Sequence, residues 1–152
     1  MSETALELAR WLPASPERVF AAWTDPASLS RWWGPEGCRV VECSLEVRPG
    51  GEWRTIIAAP DGRRWTVSGV YREIAPPRNL AFSWSWDQDD GGRGPETEIV
   101  VTFEPDRDGT RLVLKQTGFT TEDARDRHRS GWASSLNDLE HSLSESSSLE
   151  QP

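Results

Sequence analysis

Lysine is almost missing from this 152-residue chain. Lys115 stands alone among seventeen basic positions, the other sixteen being arginine, and 25 acidic residues bring the formal net charge to −8. No basic stripe of the kind that neutralises a phosphate backbone can be drawn on it, which excludes nucleic acid as a partner. An anionic membrane surface repels a chain of this charge. No apolar run exceeds a few residues, which excludes a membrane-spanning helix. The opening Met-Ser-Glu-Thr has neither the basic region nor the apolar core of an export signal.

Cysteine and histidine are as scarce, at two each. Cys38 and Cys43 lie five residues apart on a predicted strand, so their side chains are expected on opposite faces, out of each other's reach. They read as free thiols of a reducing cytoplasm. His128 and His141 share no ligand spacing with them, and neither a metal nor any other cofactor is expected. Asp87-Gln88-Asp89-Asp90-Gly91-Gly92 has the acid density of a calcium loop, but its fifth position is glycine and both flanks read as strands; a solvated hairpin tip is expected. A Gly-x-Ser-x-Gly elbow and a glycine-rich phosphate loop are both missing, and nothing identifies a base beside Cys38, so nucleophilic catalysis finds no support.

What abounds is tryptophan, which supplies nine of the fourteen aromatic residues. Indoles are large and amphipathic, and they favour places where an apolar wall has a wet edge. That composition suits a cavity or an interface. The length fits one domain, assigned to residues 1–145, with a Ser-rich tail over 146–152 expected to be disordered.

Along the chain, Thr4 to Leu12 alternates as a strand. Ser15 and Pro16 then suit the cap and first turn of a short helix to Thr24 that buries Val19, Phe20 and Trp23. Asp25-Pro26 starts a second helix, expected to reach Trp33 and to end at Gly34-Pro35. From Arg39 to Phe119 the apolar period is two, and five turn signals divide it into six strands of an antiparallel meander. A helix of about 25 residues follows Thr121, with Trp132, Leu136, Leu139 and Leu143 on one stripe. The order β-α-α-β6-α is that of an α+β domain. One helix about 10 Å wide cannot cover a seven-stranded sheet, so the sheet must wrap around it or leave apolar surface open. Wrapping leaves a cavity.

Several segments in this order resemble the homologue family of the activator of heat-shock protein 90 ATPase. They are Ser-Pro-Glu-Arg-Val-Phe-Ala-Ala-Trp-Thr-Asp-Pro at 15–26, Arg31-Trp32-Trp33-Gly34-Pro35, Arg48-Pro49-Gly50-Gly51-Glu52-Trp53, Gly69-Val70-Tyr71-Arg72-Glu73-Ile74 and Gly131-Trp132. The resemblance spans about residues 4 to 145. It implies the SRPBCC (START-like, birch-pollen-allergen-like) superfamily and its helix-grip fold, with a curved seven-stranded antiparallel sheet around the long C-terminal helix. It also implies a hydrophobic or amphipathic small molecule bound between sheet and helix. The eukaryotic chaperone activator is similar over its C-terminal domain, and some branches are polyketide-cyclase-type enzymes.

Strand parity nominates the concave wall. Leu80, Phe82, Trp84 and Trp86 share a face with Ile99, Val101, Phe103, Leu112, Leu114 and Gln116. Phe82, Trp84, Val101, Phe103, Leu114 and Gln116 are therefore expected at the cavity, facing Trp132, Leu136 and, one turn earlier, His128 on the long helix. Of the adjacent Trp32 and Trp33, about 100° apart on a helix, at most one is expected to point directly inward; they are candidates for the cavity mouth, against a competing reading as core. Gln116 is a candidate for a ligand's polar group or a strand end, and His128 for an acid/base group or a half-exposed helix residue. The sequence supports a small-molecule-binding module, with a protein-interaction module having a chaperone partner, or a cyclase- or hydratase-type enzyme, as alternatives. The direction of the indoles separates the first two.

Overall fold

The computed structural model describes residues 4–34, 37–87 and 92–150, with side chains to 144. In chain order the elements are β1 (Thr4–Leu12), α1 (Pro16–Thr24), α2 (Pro26–Leu29), β2 (Arg39–Leu45), β3 (Glu52–Ala58), β4 (Arg64–Ala75), β5 (Asn79–Trp86), β6 (Thr97–Asp106), β7 (Gly109–Phe119) and α3 (Glu122–Glu150). The seven strands form one antiparallel sheet in the order β1-β7-β6-β5-β4-β3-β2. Six of them are the expected meander, and β1 adds to its free edge beside β7. The pair α1–α2 then carries the chain from that edge to the opposite one. The fold is the expected α+β helix grip. No helix among the described residues is long and apolar enough to cross a membrane.

The helix caps are local. Ser15 Oγ accepts from the Arg18 amide and Asp25 from the Ser28 amide, each followed by a proline at the first helical position. Thr121 Oγ1 accepts from the Ala124 amide at the start of α3, where Glu122 and Asp123 suit the helix dipole. The second helix is shorter than expected. After Leu29 the Arg31 amide bonds to Ser28 and the Trp32 amide to Leu29, a tightened turn that places both indoles inside. Helix α3 runs to Glu150, beyond the stripe that ends at Leu143, so the tail expected to be disordered from residue 146 is helical to that point. Residues 151–152, like 88–91 of the acidic hairpin tip, lie outside the described residues; the tip's flanks meet in an isolated bridge between Asp87 and Arg93.

Two bulges change the strand parity. In β2 the register steps from Val40 opposite Ile57 to Glu42 opposite Ile56, leaving Val41 as the extra residue. Cys38 and Val40 before the bulge and Cys43 and Leu45 after it consequently pack against the same core. The expectation that the two cysteines face apart is thus overturned, although both thiols are unbridged. In β4 the bulge at Arg72 likewise turns both Tyr71 and Ile74 inward.

Helix α3 packs chiefly on β1 and β7, burying Trp132, Leu136, Leu139 and Leu143. Arg10, on the inner face of β1, reaches Asn137 at 2.6 Å and Glu140 at 3.4 Å along its outer edge. The rest of the concave face is filled by aromatic side chains from α1, the α2 turn and the strands. One of them dictates a glycine. Trp53 pairs directly with Gly69 across β3 and β4 and donates to the Ser83 carbonyl at 3.1 Å. A Cβ on Gly69 would sit 2.7 Å from Trp53 Nε1 and press into that carbonyl oxygen. Gly69→Ala is therefore expected to destabilise the fold by about 1–3 kcal/mol through overpacking, read as a lower urea midpoint with an unchanged slope.

Candidate functional site

A cleft of about 590 Å³ opens where α3 leaves the far half of the sheet uncovered. Its floor is Trp84 and Trp86 of β5, which share the inner face of the sheet by period two. Ile57 of β3 and Trp65 of β4 form one side, with Cys38 ahead of β2. Trp33 and Gly34, at the end of the α2 turn, close one end. The opposite wall is a single face of α3, on which Arg127, His128, Gly131, Trp132 and Ser135 recur at helical spacing. Ser135 Oγ donates to the Gly34 carbonyl at 2.8 Å, tying the two walls together.

Of the eleven residues nominated by parity and helical spacing, Trp33, Trp84, His128 and Trp132 border this cleft. Trp32 turns instead toward α1, donating to the Ala22 carbonyl at 3.1 Å and packing on Trp23 at 4.7 Å. Both adjacent indoles are thus buried, contrary to the expectation for a helix on a free surface, because the turn is sandwiched between α1 and the sheet. Phe82 borders a separate space of only about 10 Å³ beside Trp23 and Trp53. Val101, Phe103, Leu114 and Leu136 are core residues, each 1% exposed or less. They lie where the sheet is already covered by α1 or α3.

Gln116 also lies off the cleft, fully buried, and its role is to hold a wall residue in place. Its Oε1 accepts from Trp132 Nε1 at 2.8 Å, and its Nε2 donates to Thr97 Oγ1 at 2.8 Å. Thr97 in turn donates to the Trp84 carbonyl at 3.4 Å. A buried chain of polar groups thereby links the α3 wall to the floor.

The comparisons with known proteins agree with the fold. The family described as Activator of Hsp90 ATPase homolog 1-like protein matches residues 13–144. The chain belongs to this family. It is similar to the AHSA1 protein of Silicibacter pomeroyi, at 36% identity and a TM-score of 0.86 over 92% of this chain and 97% of that one. A protein from Chromobacterium violaceum is similar at 29% identity and a TM-score of 0.78, covering 91% and 96%. One from Nitrosomonas europaea is similar at 25% and 0.80, covering 95% and 97%. Among curated proteins none matches. The family's fold is the one described above, and of the motif residues Trp33, Gly34, Gly131 and Trp132 border the cleft.

His128 is held as a neutral ring. Its Nδ1 lies 2.7 Å from the Ala124 carbonyl, which only accepts, and its Nε2 lies 2.9 Å from Trp86 Nε1, which only donates. The ring is therefore the Nδ1–H tautomer with both nitrogens committed. Burial lowers its pKa from the ordinary 6.5, and the charge of Arg127 adds to this, against an opposing effect of the Ala124 bond. Protonation would set two donors, Nε2–H and the Trp86 N–H, against each other. Burial pushes the Cys43 thiol the other way, up, against a hydrogen bond with Ser30 and with the Asp25 carboxylate adding to the effect.

Sequence reasoning missed Gly34, Cys38, Ile57, Trp65, Arg127, Gly131 and Ser135, and it placed Trp86 on the concave face without nominating it for the site. Gly131 and Ser135 carried a legible signal, being spaced with His128 and Trp132 on one helical face; Ile57 and Cys38 carried none, since only strand curvature brings them opposite α3.

Two outcomes follow from these bonds. Gln116→Leu leaves the buried Trp132 N–H without an acceptor and is expected to cost about 1–3 kcal/mol by urea unfolding, whereas in a Trp132→Phe background the same change costs less. For His128 the folded value lies below the unfolded one, so the unfolded chain takes up a proton first as pH falls through about 6.5, and stability drops. The difference in Tm between the native protein and His128→Phe should accordingly shrink as pH is lowered from about 7.5 to 5.5.

Proposed function

We propose that this chain is a small-molecule-binding module, taking a hydrophobic or amphipathic ligand into the cleft between α3 and the sheet. The observation that carries the reading is the cleft itself: its volume of about 590 Å³ falls in the usual range for ligand sites, and its walls are five indoles with few polar groups. The direction of the indoles supports it. Of the nine, six are buried, Trp11 and Trp86 are half-buried, and Trp65 alone is exposed, at 39%. Aromatic side chains turned inward favour an enclosed ligand over a docked chaperone. Binding is favoured over cyclase or hydratase chemistry because both His128 nitrogens are already bonded. The unbridged thiols suit a cytoplasmic setting.

Gly131 supports the reading from another side. A mid-helix glycine costs about 0.5–1 kcal/mol relative to alanine, and here a Cβ would meet no atom within 4 Å. The space it leaves is cleft volume.

The test uses the uncharged fluorophore N-phenyl-1-naphthylamine. Saturable one-to-one binding with quenching of tryptophan emission is expected, and Gly131→Phe, which projects a ring into the cleft, should abolish it without lowering Tm. Binding that does not saturate, or that survives in the Gly131→Phe protein, overturns the reading.

A further inference from the structure

We infer that the cleft is a blind slot that takes one elongated apolar tail, end first, with a polar head left at its mouth, and that Gly131 sets how long a tail it accepts. The inference rests on the small-molecule reading above and deepens it.

The first support is that one end is closed. Ser135 Oγ donates to the Gly34 carbonyl at 2.8 Å, which joins α3 to the α2 turn. On the sheet side of that turn a Cβ on Gly34 would lie 3.3 Å from Ile57 Cγ2, so turn and sheet meet as well. Trp33 beside them is fixed by its bond to Thr55 Oγ1 at 3.0 Å. The lining residues here are buried: Trp33, Ile57, Trp132 and Ser135 are each 5% exposed or less. Toward the other end Trp65 is 39% exposed and the Arg127 side chain 75%. A passage that is dry at one end and wet at the other suits a molecule with one apolar and one polar end.

The second support is that the walls are tied together twice. Besides the bond between Ser135 and Gly34 at the blind end, Trp86 Nε1 donates to His128 Nε2 at 2.9 Å nearer the mouth. Helix and sheet are thereby held at a set separation along the whole face, which favours a slender body over a bulky one. The lining residues of α3 run from Arg127 to Ser135, eight positions apart and hence about 12 Å. An extended chain of C–C bonds of about 1.5 Å advances about 1.25 Å per methylene, so this depth is the reach of about ten carbons.

The third support is the position of Gly131. It stands four residues from Arg127 and four from Ser135, midway along the slot. A Cβ there would meet no atom within 4 Å, so a larger side chain would project across the path to the blind end. Glycine at this position keeps the inner half, about 6 Å of depth, open to a tail.

The n-alkyl β-D-glucosides from hexyl to tetradecyl test this, because their sugar is uncharged and strongly hydrated and stays in water. Each is titrated below its micelle-forming concentration and followed by NMR chemical shifts. Affinity is expected to rise about fourfold per methylene up to about decyl and then to level off, because further carbons lie outside the slot. Gly131→Phe should show no such rise. In the unsubstituted protein the terminal methyl of the decyl tail should give NOEs to the Ile57 methyls and the sugar protons none, a readout that does not depend on how the variant folds. Affinity that is flat from hexyl or climbs unbroken to tetradecyl, a rise that persists in Gly131→Phe, or sugar NOEs to Ile57 overturns this inference while leaving the cleft a binding site. So does absence of decyl glucoside binding in a protein that binds N-phenyl-1-naphthylamine. Failure of that fluorophore itself to bind overturns the earlier reading instead.

Discussion

Trp33 touches five other indoles, those of Trp23, Trp32, Trp53, Trp84 and Trp132, at centroid distances between 5.5 and 6.1 Å. These five come from α1, the α2 turn, two strands and α3, so one side chain joins every layer of the domain. Its own N–H is anchored on Thr55, fully buried in β3. Ring pairs of this kind contribute about 0.5–1.5 kcal/mol each beyond the area they bury. The larger consequence is geometric. Each indole needs both an apolar bed and an acceptor, and meeting both needs fixes how the helices sit on the sheet.

That requirement explains the polar residues of the interior. Thr55 and Gln116 are fully buried, and each accepts an indole N–H. The carbonyls of Ala22 and Ser83 do the same for Trp32 and Trp53. The pairing is complete enough that the buried exceptions among the described residues, Trp23 and Trp84, stand out. It also explains the cleft. Helix α3 lies on β1 and β7, and the aromatic cluster fills most of the concave face beyond it. Where the cluster ends, between Trp84, Trp86 and the Gly131 face of α3, a space of ligand size is left.

Much of this was legible from residue order. Turn residues at 48–51, 60–62, 76–79 and 105–109 marked the strands, and alternation from Leu80 to Trp86 named the inner face of β5. The stripe through Trp132, Leu136, Leu139 and Leu143 named the buried face of α3. The candidate site was less legible. Parity could say that Val101, Phe103 and Leu114 face inward, but facing inward is shared by core and cavity alike. The cysteines were assigned to opposite faces because a bulge at Val41 has no signature in an isolated sequence. At most one of Trp32 and Trp33 was expected to point directly inward, because a helical wheel does not know that a second helix covers its other side.

The sequence by itself determined the elements, their order, the inward face of the strands that carry no bulge and the family, because these depend on periodicity, turn chemistry and caps within a few residues. The tertiary structure alone decided which inward-facing residues border empty space and which are covered. It also decided which indole N–H groups find an acceptor, and that those of Trp23 and Trp84 find none among the described residues. Those outcomes depend on sheet curvature and on contacts between residues dozens of positions apart, such as Trp86 with His128 and Gly34 with Ser135, which no local pattern encodes.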